Sequence, residues 1–182
     1  MTKKNIEEKI PFPEKVEVTY QEGVASVKGP LGEVKRKLYH PSISLQVEGK
    51  NIILKTERAT LREKTQLYTW RAHLLMMIKG VTQGHFYKLK VCSGHFPMNV
   101  TLSGNQFSVK NFLGEKIPRV IMIPKEVKVT IDGDYILVES NNKELAGQTA
   151  ASMEQLTRVT NKDLRIFQDG FYIIEKNGKS VI

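Results

Sequence analysis

Six basic side chains in the second half of the chain are candidates to neutralise phosphates: Lys143, Arg158, Lys162, Arg165, Lys176 and Lys179. Lysine and arginine offer positive charge and hydrogen-bond donors, and phosphate contacts of this kind fix a protein's position on RNA. Arg158, Lys162 and Arg165 are spaced through QLTRVTNKDLRIFQDGFYIIEK (155–176). That stretch reads as the end of a helix, a connecting segment and a strand pair. Cations held there stand on a platform rather than a tail, which suits an anionic partner of fixed shape. Asp169-Gly170 reads as a tight turn between two apolar, aromatic strand-like runs, with Gly170 allowing the turn to close. The chain as a whole carries 28 Lys+Arg against 19 Asp+Glu, a net charge of +9, which favours an anionic partner such as nucleic acid.

Other chemistry finds less support. His85, Cys92 and His95 alone combine metal-ligand types, with the spacing H-x6-C-x2-H. A zinc site takes four ligands, and the fourth is missing. If 86–91 is a strand, His85 and Cys92 also point to opposite faces. No metal and no cofactor are expected. There is no G-x-S-x-G elbow, no phosphate-binding loop and no dinucleotide fingerprint. Asp132 and Asp134 read as turn formers, so no catalysis is expected. Of the aromatics near the basic stretch, core packing suits two of Phe167, Phe171 and Tyr172 better than base stacking, and Trp70 reads as core. A single cysteine leaves no internal disulfide and fits a reducing compartment. No apolar run approaches the roughly 20 residues that span a bilayer. The opening residues lack the apolar stretch of a signal peptide. A cytosolic protein without a membrane partner is expected.

The elements that must carry these residues occur twice. Residues 18–33 (VTYQEGVASVKGPLGE) align with 100–115 (VTLSGNQFSVKNFLGE) at an offset of 82, with eight of sixteen pairs identical. VEGKNIIL (47–54) recurs loosely as IDGDYILV (131–138). A period this long means two copies of one domain. The glycine-bearing segments VKGPLG and VKNFLG fall at equivalent positions, which predicts a shared turn geometry.

In the first copy, residues 1–9 read as a polar tail, and alternating apolar residues predict strands between Val16 and Thr56. A helix is predicted from about Thr60 to Lys79, with Leu67, Trp70, Leu74, Leu75 and Ile78 on its apolar face and Gly80 as its stop. Phe86–Val91 reads as the closing strand of this copy. In the second copy, strands are predicted at Val100–Leu102, Phe107–Val109, Arg119–Ile123, Val127–Ile131 and Tyr135–Val138. Asn141 with Glu144 resembles a capping box. It opens a helix running to about Val159, with Leu145, Thr149, Ser152, Leu156 and Val159 on one stripe. If that helix persists, Arg158 and Lys162 share a face. The expected fold is α+β: two tandem similar domains, 1–92 and 93–182, each an antiparallel or mixed sheet packed by one helix. Bulk charge favours the first copy as the cationic one, with 17 Lys+Arg against 9 Asp+Glu in 1–92 and 11 against 10 in 93–182.

The order Gln155, Val159, Lys162, Arg165, Phe167, Asp169, Gly170, Tyr172, Ile173, Lys176 resembles a signature of the large-subunit ribosomal protein L-six family. Phe171 departs from it, standing where the family usually has an aliphatic residue. MIKGVTQGHFYK (77–88), HFPMNV (95–100) and VKNFLGEK (109–116) resemble its archaeal and eukaryotic branch. The resemblance implies a structural protein of the large ribosomal subunit that binds large-subunit ribosomal RNA near the factor-binding region and the sarcin–ricin loop. It implies neighbouring ribosomal proteins as partners, with translation factors nearby. It also implies that the main RNA contacts lie in the second copy, and Lys162 and Arg165 match the signature directly. The alternative is a free-standing RNA-binding or protein-interaction module of the same fold.

Overall fold

The computed structural model describes residues 5–57 and 59–181. The chain divides into two units, residues 1–84 and 85–182. In the first, strands β1 (Ile6–Pro11), β2 (Glu17–Gln21), β3 (Val24–Gly29), β4 (Gly32–Lys37), β5 (Ile43–Glu48) and β6 (Asn51–Thr56) precede helix α1 (Leu61–Gln83). They form two antiparallel three-stranded sheets, ordered β1-β6-β5 and β2-β3-β4. Alternation along β3 sends Ala25 and Val27 inward, where they meet Leu67, Trp70 and Leu74 of α1 in one buried cluster.

The second unit repeats this plan with one strand pair added. It contains β7 (His85–Cys92), β8 (Asn99–Ser103), β9 (Gln106–Lys110), β10 (Arg119–Met122), β11 (Lys128–Asp132), β12 (Tyr135–Ser140), helix α2 (Lys143–Leu156), β13 (Gly170–Lys176) and β14 (Lys179–Ser180). One sheet is ordered β10-β9-β8 and the other β11-β12-β7-β13-β14. The duplication reaches the register: Val18 faces Val27 in the first unit, and Val100 faces Val109 in the second. The α+β fold with two repeated domains is therefore the observed architecture.

Several expectations need correction. The boundary lies at 84/85 rather than 92/93, because β7 pairs with β12 and β13 and is the central strand of the second unit's larger sheet. Its counterpart is β1, which pairs with β6 as β7 pairs with β12. Residues 6–9 of the supposed tail thus belong to a strand. Moving the boundary transfers Lys88 and Lys90, so the second unit carries 13 Lys+Arg against 10 Asp+Glu.

Helix α1 runs through Gly80, which is buried within it, and stops at Gly84, whose φ is +76°. Leu75 is exposed, and Met77 and Val81 complete the buried stripe instead. Helix α2 is capped by Asn142, one residue later than expected, its side chain accepting from the Glu144 N–H at 2.9 Å. It ends at Leu156, and its buried residues are Ala146, Thr149, Ala150 and Met153. Small residues let this helix lie close to the sheet, and Gly147 comes against the Tyr87 ring. The glycine-bearing segments differ in geometry. Gly29 and Gly32 pair across a two-residue hairpin, whereas Asn111 and Leu113 take positive φ around a short 3₁₀ turn at Phe112–Gly114.

Candidate nucleic-acid interface

The basic stretch after α2 is not a strand pair. Residues 158–169 form an irregular segment with a turn at 164–166, and only β13 follows. With α2 ending at Leu156, Arg158 and Lys162 do not share a helical face. The hairpin in this region lies further on, at Asn177-Gly178 between β13 and β14. Both residues have positive φ, the geometry Asn-Gly supplies at lowest cost. That dipeptide was the sequence signal for the turn, and Asp169-Gly170 was the wrong one.

Asp169 is instead a buried anchor, 2% exposed. Its Oδ1 accepts the backbone N–H groups of Gly94 at 2.7 Å and His95 at 2.9 Å, and its Oδ2 meets His95 Nδ1 at 2.6 Å. Burial pushes its carboxyl up, but the bonds from His95 and Gly94 outweigh that and hold it below the ordinary carboxylate range. Gly170 has φ +148°, and a Cβ there would stand 3.2 Å from both the carbonyl oxygen and Oγ1 of Thr157. Its role is close backbone approach rather than closure of a hairpin. The contact matters because Thr157 Oγ1 accepts the Phe171 N–H at 2.8 Å, tying the end of α2 to the start of β13.

A second anchor is Arg119. Its guanidinium grips Glu115, lies 4.3 Å from the centre of the Phe112 ring, and donates to the Leu156 carbonyl at 2.7 Å. The Arg119 hydrogen bonds hold the Glu115 carboxyl below its usual range. Carbonyls left over at the end of α2 thus find a cationic donor. Together Asp169, Thr157 and Arg119 hold both ends of the 158–169 segment.

That segment displays its cations on the surface. Lys162 Nζ lies 4.6 Å from the centre of the Phe167 ring, and the same ring stacks on His95 with centroids 4.6 Å apart and planes 19° apart. Arg165 is almost fully exposed and pairs with Asp163 at 2.7 Å. Hydrogen bonding to Arg165 lowers the Asp163 carboxyl, and the same bond raises Arg165. The Asp163 side chain also accepts the Arg165 N–H at 2.9 Å, a local turn that sets the carboxylate beside the guanidinium. Arg158 is exposed beside the end of α2.

The remaining candidates sit elsewhere in the unit. Lys176 and Lys179 face each other across the β13–β14 hairpin. Lys143 is the first residue of α2 and is half-buried. The six cations are therefore not one patch: three lie on the anchored segment, two on the hairpin and one at the helix start. Beside the segment opens a cleft of about 1190 Å³ lined by Lys90 and Arg158, by Asp134, Glu154 and Asp169, and by exposed Leu164 and Ile166 among others. The cleft lining therefore carries both signs of charge.

Sequence reading missed Asp169 and His95 as a pair, and Arg119 and Thr157 as anchors. An acid between Phe167 and Phe171 was the available sign that Asp169 is buried. Of the three aromatics, only Phe171 is fully in the core, edge-on to Phe107 at 5.9 Å; Phe167 is half-buried and Tyr172 partly exposed. Among the described residues no group of three or more His, Cys, Asp and Glu side chains is placed to hold a metal ion. Nor is any helix among them long and apolar enough to cross a membrane.

Comparison with known proteins agrees with the duplicated geometry. The model of the family Ribosomal protein L6 matches the chain twice, at residues 12–84 and 96–170. The chain is 47% identical over 185 aligned residues to the large ribosomal subunit protein uL6 of Nanoarchaeum equitans, covering 97% of this chain and 96% of that one. It is 41% identical over 174 residues to the protein of the same name from Methanococcus vannielii, covering 96% of each.

Proposed function

The chain belongs to the ribosomal protein L6 family, and from that premise we propose that it is a structural constituent of the large ribosomal subunit that binds large-subunit ribosomal RNA. The observation that carries the RNA-binding reading is the anchored segment 158–169. Asp169 and Arg119 hold its two flanks, and Lys162 and Arg165 project from it. A cation on a fixed backbone loses less freedom on meeting a phosphate than one on a mobile tail, so each contact retains more of its favourable energy. The second unit is the main RNA-binding domain in this reading. Arg158, Lys143, Lys176 and Lys179 supply further phosphate contacts, and Gly170 serves by letting α2 and β13 approach.

The role is architectural rather than catalytic: the two units, each compact in itself, hold one arrangement of folded RNA near the factor-binding region. Neighbouring ribosomal proteins are partners, and translation factors come close.

The test is sedimentation of tagged protein from cell extract through a high-salt wash, with the RNA of each fraction identified. Wild type is expected to co-migrate with large subunits. Arg165→Glu should reduce retention at least tenfold. Lys50→Glu, at an exposed turn of the first unit where Lys50 pairs with Glu14, should leave it nearly unchanged. Equal retention of the two variants would count against the placement of the site, and wild type confined to ribosome-free fractions would sink the whole reading.

A further inference from the structure

Helix α1 carries large apolar residues on the side that faces solvent as well as on the side that packs. Its buried stripe, Leu67, Trp70, Leu74, Met77, Ile78 and Val81, covers the first unit's core. On the opposite side Leu61 is 82% exposed, Tyr68 40%, Leu75 41% and Met76 38%. Leu61, Thr65, Tyr68, Ala72, Leu75 and Lys79 follow one another four and three residues apart and are all exposed. That spacing is the seam of a helix that pairs with another helix. The threonine hydroxyls on this side turn back onto the helix, Thr65 donating to the Leu61 carbonyl at 2.8 Å and Thr69 to the Thr65 carbonyl at 2.9 Å. The outward surface gains apolar character from this. A seam of this kind left in water is unusual in a stable domain and marks a contact surface.

The margins of the seam say what covers it. Arg62 and Lys64 flank its start and Arg71 its middle, Lys79 closes it, and all four are exposed. Arg71 is partly neutralised by Glu8 at 3.4 Å. The only acid in the helix, Glu63, is half-buried near the packed side. A second copy of the same seam would set like charges against each other at every margin. An RNA backbone would place phosphates over Leu61 and Leu75, whose side chains offer no donor. We infer that the outer face of α1 docks an amphipathic helix of another protein, one whose apolar residues recur at four- and three-residue spacing and whose flanks carry Asp and Glu. This contact belongs to the first unit and does not depend on the RNA-facing segment of the second.

The test replaces Tyr68 by the photoreactive residue p-benzoylphenylalanine in the full-length chain, irradiates intact cells, and sequences the attached peptide or nucleotide. The expected product is a protein adduct on a segment with that spacing and acidic flanks. Leu75→Glu and Lys64→Glu should each lower its yield at least tenfold, while Leu75→Met keeps it. Both positions are exposed, so thermal melts of the variants should match the parent. An adduct on RNA, on a second copy, on a protein segment without acidic flanks, or no adduct at all would overturn the inference. Sedimentation of the same lysate reports the ribosomal reading separately, so the two fail independently.

Discussion

Replacing Asp169 by alanine should open the second unit where α2, β7 and β13 converge. The lost carboxylate accepts three hydrogen bonds, two from the Gly94 and His95 backbone and one from the His95 ring. Hydrogen bonds to a charged group contribute about 1.5–3 kcal/mol each. The sum is not recovered in full. Gly94 and His95 are exposed enough for water to replace part of what is lost, and removing the buried charge relieves its desolvation. A net loss of about 3 kcal/mol follows, the worth of one to two such bonds. That is roughly a hundredfold in an opening constant.

The assay is native-state hydrogen exchange on the paired amides of β7 and β13, where Phe171 faces Val91 and Ile173 faces Leu89. Trp70, the only tryptophan, lies in the first unit's core and is blind to this change. Asp169→Asn, which keeps a carbonyl oxygen but no charge, should cost about half as much. The pH sign is fixed by the lowered folded-state pKa. Above the ordinary carboxylate value of about 4 the stabilisation is fully present, and it is lost as pH falls through the folded value. Asp169→Asn should therefore flatten the acid side of the stability profile below about pH 4. A change under about 1 kcal/mol for Asp169→Ala, with the fold retained, would refute the anchor argument.

Two other substitutions probe the same frame. Gly170→Ala forces a side chain into positive φ and against Thr157, and should cost about 2 kcal/mol in a urea titration followed by circular dichroism; an unchanged midpoint would show that the approach is not tight. Arg119→Lys keeps the charge but loses the planar fork shared by Glu115 and the Leu156 carbonyl, and should destabilise by about 1–2 kcal/mol and speed amide exchange at the end of α2, which equal exchange rates would contradict.

The duplication, the two helices, most strands and the family are legible in the chain itself. These features rest on local pattern: period-two alternation from Val16 to Tyr20, three- and four-residue spacing from Leu67 to Ile78, and an 82-residue offset that repeats both. Cations on the stretch around Lys162 and Arg165 are equally visible, since exposure of a charged residue is the default. What the chain alone leaves open is which distant partner each pattern meets. A run such as His85–Cys92 looks the same whether it closes one domain or forms the centre of the next, and only pairing with β12 and β13 decides. Asp169-Gly170 satisfies turn chemistry and buried-anchor chemistry alike. The choice is made 75 residues away, by the backbone N–H of Gly94, which has a lone pair of Asp169 to meet. Local sequence thus fixes the elements and the charges they display. The tertiary structure decides which polar groups are buried together, because that choice depends on hydrogen bonds between residues far apart in the chain.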